Sequence, residues 1–523
     1  MSAATAAAAV TGPASVARVR SFIGRRSRRS WLDWYAAGFA LVIGAIYLSD
    51  ILVSPLHRLS GHGSQATATH AAALQAVTGA GLVIGAGAGL LLLAQALGPL
   101  ALSPADASWL LLTPLSRRGV LRRPALSAAI LATLSGALLG VLALAMAGPY
   151  LRPAGGSLPG SWLVLSAVAG AGSCLAAVAV EALAQPGKRS RTAVRVAAAV
   201  LALIALAGAL AAQASAALIR AVTAVFGGLA TPDFTAAAIA AVAVACLAWL
   251  VLWRELAAFP TAPLRSDSAR SGRVLLAAGA LNFSLLFWIA EDNHWRGRLL
   301  RSRPWPKLPP ALALAWADWR RLYRRPGPLA VVVVASVFPA LLGAAFTGLA
   351  HVILIVASLV GGAMAAGLQG TSGARRDMDS ATLRRLLGVR PGPVLAARSV
   401  LPALLCTAWL AIALTVLPAV GALSGWWWPL LALAGPGVAA GVLRLARTAP
   451  VDPGNRGPDL PGGNTPPWMI SRVISVAVAA GGSFPLIRAV QHGHADAGTV
   501  ISQFLVSAIV GGIYLVIAAA TGR

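Results

Sequence analysis

WLLLTPLSRRGVLRRPAL, Trp109 to Leu126, sets a short apolar run directly against Arg117, Arg118, Arg122 and Arg123, then resumes apolar after Pro124. The run is far too short to cross a bilayer, which takes about 20 mostly apolar residues. Long apolar segments nevertheless flank it on both sides, at 74–98 and 124–147. The stretch therefore reads as a loop between two membrane spans. Its arginines hold it on the cytoplasmic side, because positive residues are retained inside.

Outward from this loop the same pattern repeats along the chain. Segments at 34–54, 74–98, 124–147, 161–184, 194–215, 234–254, 328–349, 351–369, 394–418, 427–445, 472–490 and 499–520 are each apolar and long enough to span. A further run, Val274 to Ala290, contains Asn282 and Ser284 between basic flanks and is expected to be interfacial or re-entrant. The composition agrees: 58% of the 523 residues are hydrophobic and 11% charged, which excludes an ordinary soluble domain. The formal charge of +27 does not point to nucleic acid, since the arginines come in short blocks between apolar runs. With both termini inside, those blocks fall on the inner side, and the outer segments keep only Arg58, Arg152, Arg220 and Arg488. The expectation is a multi-pass protein of the bacterial inner (plasma) membrane whose environment is the lipid bilayer. Trp162 and the triplet Trp426, Trp427 and Trp428 then belong at the outer interface. Cys174, Cys246 and Cys406 lie in apolar runs and read as packing residues.

The chain is also written twice. Trp31-Leu-Asp33-Trp34 precedes the first span and Trp316-Ala-Asp318-Trp319 precedes the seventh, at an offset of 316 − 31 = 285. WLLLTPLSRRGVLRRPAL at Trp109 can be laid on LRRLLGVRPGPVLAARSV at Leu383, offset 383 − 109 = 274, pairing Val120 with Val394 and Leu121 with Leu395. This predicts an all-α fold of about twelve transmembrane helices in two pseudo-repeated six-helix halves, both termini inside. Residues 1–20 form a disordered Ala-rich tail, 21–260 the first half, 261–308 a cytoplasmic or interfacial connector, and 309–523 the second half. Ahead of the seventh span Leu312, Trp316, Trp319 and Tyr323 recur at i, i+4, i+7 and i+11, opposite Asp318 and Arg321. That spacing predicts a helix lying in the headgroup plane, the alternative being a cytoplasmic extension of the span. Pro450 to Pro467, rich in Pro and Gly, reads as a linker.

An interfacial helix, two spans joined by a basic helix-turn, then four more spans: this plan resembles the membrane domain of ABC-2 type ATP-binding-cassette exporters, especially the large two-half permeases of actinobacteria. The element carrying the resemblance is Asp106-Ala-Ser-Trp109-Leu110-Leu111-Leu112-Thr-Pro114-Leu-Ser-Arg117-Arg118. A looser copy runs Asp379-Ser-Ala-Thr-Leu383-Arg384-Arg385-Leu386-Leu-Gly-Val-Arg390. The resemblance implies that residues about 104–119 and 378–392 dock on a nucleotide-binding subunit. Independently, Ser103 or Asp106 can cap a short helix, Leu110 to Leu112 can fill an apolar groove on a partner or lie on the bilayer face, Pro114 can end the helix, and the arginines can meet an acidic partner surface. A topogenic inner loop is the plainer reading of the arginines alone.

The chain carries no ATPase motif. At Gly187 to Ser190, GKRS departs from a phosphate-binding loop: Ala182 stands where the first glycine belongs, and Arg189 where a Ser or Thr ligand to magnesium belongs. No catalytic residue or cofactor is therefore expected on this chain. ATP and magnesium are implied on a separate cytoplasmic ABC ATPase, in two copies, one for each half.

Two other classes remain open. A secondary carrier of major-facilitator type shares the six-plus-six layout, but the loop at Leu115 lacks the aspartate such carriers place there. Among the acids, Glu181 lies in a span near its cytoplasmic end, where it is expected to snorkel or pair with Lys188 or Arg189. An integral membrane enzyme would draw on the outer-loop histidines His57, His62, His70, His351, His492 and His494; His492, His494 and Asp496 are ligand types for zinc or copper. Ordinary polar loop residues are the plainer reading.

Overall fold

The structure, a computed structural model, describes residues 69–113, 115–151, 160–214, 231–279, 306–346, 349–379, 390–419, 423–425, 427–448, 459–460, 463–464 and 467–520, with positions 287, 289, 291 and 295. The chain divides into two compact units, Met1–Arg273 and Val274–Arg523. Among the described residues ten helices are long and apolar enough to cross a membrane, or eleven when one bent pair counts as a span. Each falls on a segment expected from hydropathy; the expected span at 34–54 lies outside the described residues, as does most of the 274–290 run. The chain is an all-α multi-pass membrane protein.

In the first unit the helices run α1 (Thr69–Leu97), α2 (Pro104–Trp109), α3 (Arg117–Leu151), α4 (Gly160–Ala184), α5 (Lys188–Ala214) and α6 (Thr231–Glu255). A further helix, α7 (Thr261–Gly279), begins in this unit. Leu131, Leu134, Ile204 and Leu247 point outward from the long helices, a surface suited to lipid and not to water. Inside, α3 packs on α4 and α4 on α6 through small residues. A Cβ added at Gly140 would collide with the Ser166 carbonyl, so only glycine allows this backbone approach. Helix α3 starts at Arg117, seven residues before Pro124, which was expected to open the span. Trp162, expected at the outer interface, is buried against Phe234 with ring centroids 4.5 Å apart. Packing between α4 and α6 claims its ring.

The second unit, Val274–Arg523, holds the helices from α8 on. Helix α8 (Pro310–Tyr323) is followed by α9 (Pro326–Ala335) and α10 (Phe338–Ala345), then α11 (Leu349–Leu368), α12 (Ser372–Asp379), α13 (Pro391–Ala419), α14 (Trp428–Ala446), α15 (Pro467–Gly482), α16 (Phe484–His492) and α17 (Ala497–Ala520). Leu410, Leu414, Leu417, Leu430, Val438 and Val442 form the core where α13 and α14 meet. Helices α9 and α10 together make one span, broken where Pro339 lacks an N–H and its ring would clash with the carbonyl four residues back. Two-residue strands pair as Ser424–Gly425 (β1) with His494–Ala495 (β4), parallel, and as Asp459–Leu460 (β2) with Gly463–Asn464 (β3), antiparallel; the latter pair lies in the expected linker. Trp427 is buried, its indole donating to the Ser424 carbonyl at 2.7 Å, while Trp428 is exposed.

The two starts of α3 and α13 are separated by 391 − 117 = 274 residues, the offset found in sequence. Val120 and Leu121 on α3 are buried in their unit, and Val394 and Leu395 on α13 in theirs. Each short helix, α2 or α12, follows the span that precedes these starts.

The bend between α15 and α16 is 61°. Pro485 explains the break, and a side chain from another helix repairs it. Gln503 on α17 is fully buried; its amide donates to the Gly482 carbonyl at 2.7 Å and its carbonyl accepts from the Leu486 N–H at 3.1 Å. Ser507 adds a longer contact of 3.3 Å to Gly482.

Candidate functional site

Helix α2 exists because Ser103 caps it. The Ser103 hydroxyl accepts from the Asp106 N–H at 3.0 Å, and Pro104 supplies a first residue that needs no N–H partner. The helix ends at Trp109, with the Leu110 N–H returning to the Asp106 carbonyl, ahead of Pro114, which lies outside the described residues. The leucines after it split by face. Leu110 and Leu111 are buried, packing with Leu121, Leu252, Leu256 and Leu264 of the same unit. They cannot fill a partner's groove as the sequence suggested, because the unit's own core takes them. Trp109 and Leu112, 75% and 67% exposed, are the two large apolar side chains that stand free.

The arginines after them are also partly engaged at home. Arg117 donates to the Phe259 carbonyl and Arg118 to the Arg254 carbonyl, the latter at 3.0 Å. Arg118 satisfies a carbonyl in the last turn of α6, as cations at a helix C-terminus do, and Arg117 one in the turn that leads from α6 to α7. Behind α2, the Leu102 N–H donates to the Ser268 hydroxyl at 3.0 Å, and the Leu100 N–H to the Gln185 side chain at 3.4 Å. Gln185 and Arg191 in turn bind Asp267 on α7, at 2.9 and 3.1 Å. The 98–112 loop is thus strapped to α7, an element missed by hydropathy. Its buried stripe, Leu264, Asp267, Ser268 and Ser271, has helical spacing but is polar after Leu264.

In the second unit Arg398, near the start of α13, joins three elements. It donates to Asp318 on α8 at 2.8 Å, to both oxygens of Asp377 on α12 at 2.9 and 3.0 Å, and to the Leu314 carbonyl at 3.3 Å. Burial pushes the Asp318 carboxyl above its usual range, against the pull of Arg398 and Arg321. A second ion-pair set ties Glu291 to Arg376 at 3.2 Å and to Arg325 at 3.7 Å. Gly373 on α12 lies where an added Cβ would strike both the Arg398 guanidinium and the Asp318 carboxylate. Gly373→Ala is therefore expected to lower stability by about 1–3 kcal/mol; an unchanged unfolding midpoint in detergent would show that the clamp tolerates widening.

The clamp explains the W-x-D-W spelling. Asp318 and Leu322 face the protein, while Trp316 and Trp319, with Leu312 and Tyr323, face outward. Helix α8 ends before α9 begins, so it is a separate helix and not an extension of the span. The first copy, Trp31, Asp33 and Trp34, lies outside the described residues, as do Leu383, Arg384, Arg385 and Leu386; Arg390 is exposed.

Glu181 on α4 is buried, and neither of its carboxylate oxygens has a partner among the described residues. Arg189 is exposed and makes no ion pair with it there, and the Lys188 side chain lies outside the described ones. The snorkelling expected of Glu181 is corrected, because α4 turns it inward. Among the described residues no three His, Cys, Asp or Glu gather as metal ligands. Asp496 instead caps α17, accepting from the Thr499 N–H at 2.8 Å and hydroxyl at 2.6 Å, which holds its carboxyl below the usual range. His494 pairs through its backbone with Ser424, and His492 ends α16.

The model of a family described as a family of unknown function, DUF6297, matches residues 72–454. No curated protein and no solved structure matches the sequence.

Proposed function

We propose that this chain, which belongs to the DUF6297 family, is the membrane subunit of an ATP-driven exporter of ABC-2 type in a bacterial plasma membrane, powered by a separate cytoplasmic ATPase. The observation that carries the reading is α2: a capped, strapped helix between the second and third expected spans that buries Leu110 and Leu111 and leaves Trp109 and Leu112 outside. A lever that passes force between a soluble motor and a membrane helix needs this build. Its inner side must be fixed to the helices it moves, and its outer side must offer an aromatic anchor to a partner pocket. Helix α12, tied by Arg398 to α8 and α13, stands at the corresponding place in the second half, so two ATPase copies fit the plan.

The test is purification from native membranes in a mild detergent. An ATPase subunit is expected to co-elute, and Trp109→Ala with Leu112→Ala to cut its recovery by roughly tenfold or more at unchanged yield of the chain. A chain that always elutes alone would remove the proposal.

One observation favours a second reading, a secondary carrier: the buried, unpartnered carboxylate of Glu181 is the kind of group that binds a coupling cation within a membrane. Transport that persists without an ATPase and stops in Glu181→Gln would select it.

A further inference from the structure

Helix α8 has three faces, and only two are explained by the protein. With 3.6 residues per turn and Leu312 as origin, Trp316, Trp319 and Tyr323 fall at about 40°, 340° and 20°; Asp318 and Leu322 fall at about 240° and 280°. The first group is exposed and the second buried. Between them, at about 80° and 120°, lie Arg320 and Arg324.

The arginines around the end of α8 divide accordingly. Arg321 is drawn to Asp318 at 3.7 Å and Arg325 to Glu291 at 3.7 Å, both toward the protein. Arg320 and Arg324 make no ion pair among the described residues, and both are partly exposed beside the aromatic stripe. Chain connectivity says what covers that stripe. Arg324 and Arg325 alone separate Tyr323 from Pro326, the first residue of the span Pro326–Ala345. Three residue steps reach at most about 11 Å, so the end of α8 cannot leave the membrane boundary. Tryptophan and tyrosine stripes at that depth sit among lipid headgroups.

We propose that this face of α8 binds anionic phospholipid, with Trp316, Trp319 and Tyr323 entering the headgroup layer and Arg320 and Arg324 holding the lipid phosphate and its added negative charge. The partial negative charge at the C-terminal end of a helix opposes an anion there, so the attraction must come from the two guanidiniums. The inference rests on membrane placement alone and holds whatever drives transport.

Delipidated protein in a neutral detergent is titrated with phosphatidylglycerol, with phosphatidylcholine of the same chains, and with glycerol 3-phosphate, reading lipid retention by native mass spectrometry and the thermal midpoint. The wild type is expected to retain phosphatidylglycerol preferentially. Arg320→Gln with Arg324→Gln is expected to weaken that retention by roughly 30-fold, about fivefold for each basic residue at an anionic surface. Arg320→Lys with Arg324→Lys, which keeps both charges, retains it. Arg122→Gln with Arg123→Gln, an equal charge loss at exposed positions of α3, also retains it. The proposal is overturned if the α8 double glutamine variant keeps the wild-type preference, or if the α3 variant or the double lysine variant loses it as fully. It is equally overturned if glycerol 3-phosphate competes as well as the lipid, which would mark a free-phosphate site.

Discussion

Replacing Arg398 with methionine is expected to destabilise the second unit by about 3–5 kcal/mol, the cost of removing one partner from a buried ion pair. Asp318→Asn is expected to cost only about 1 kcal/mol. The asymmetry follows from the geometry. Arg398 is the cation between two carboxylates, Asp318 and Asp377; methionine takes both bonds from Asp377 and leaves Asp318 only the longer contact to Arg321 at 3.7 Å. Asparagine at 318 still accepts from Arg398, while Arg398 keeps its two bonds to Asp377. Burial already works against the charged form of Asp318, so its loss also relieves a cost. Unfolding by increasing SDS in mixed micelles measures both variants. Equal losses would mean that Arg398 is not the bridge.

Gln503→Leu is expected to cost about 2–4 kcal/mol, since each buried polar group left unsatisfied costs about 1–3 kcal/mol. Leucine has nearly the volume of glutamine, so the loss is one of hydrogen bonds and not of packing. The Leu486 N–H loses its acceptor and the Gly482 carbonyl keeps only the 3.3 Å contact from Ser507. Hydrocarbon offers no water to replace them. Amide exchange at Leu486 should rise together with the fall in unfolding midpoint. A variant with wild-type exchange at that amide would show that the bend between α15 and α16 is held by something other than Gln503.

These two positions also show where sequence reading stops. Hydropathy placed the spans at 74–98, 161–184 and 499–520 within a few residues of α1, α4 and α17, because twenty apolar residues in a row admit one outcome. It could not place the bend in the eleventh span: Pro485 announces a break, but whether the break is tolerated depends on Gln503, a residue from a different helix. The helical spacing of Leu312, Trp316, Trp319 and Tyr323 was legible because one face of α8 is written in one class of residue. Trp109-Leu-Leu-Leu was not, since four adjacent apolar residues carry no period from which to tell that Leu110 and Leu111 go in and Trp109 and Leu112 stay out. The partners of Arg398 were hidden for a third reason. They come from α8 and α12, at sequence separations of 80 and 21 residues, and nothing local marks them as a pair.

The bond from Leu102 to Ser268 closes a loop of 166 residues. At a synthesis rate of about 5–20 residues per second, the ribosome reaches Ser268 some 8–33 s after Leu102. During that interval α3 to α6 are delivered to the bilayer while the loop at 98–112 lacks Ser268 and Asp267. Trp109, the most exposed aromatic among the described residues of the first unit, is therefore among its early products and among the last to be fixed in place, so assembly with any partner through it has a clock set by the arrival of α7.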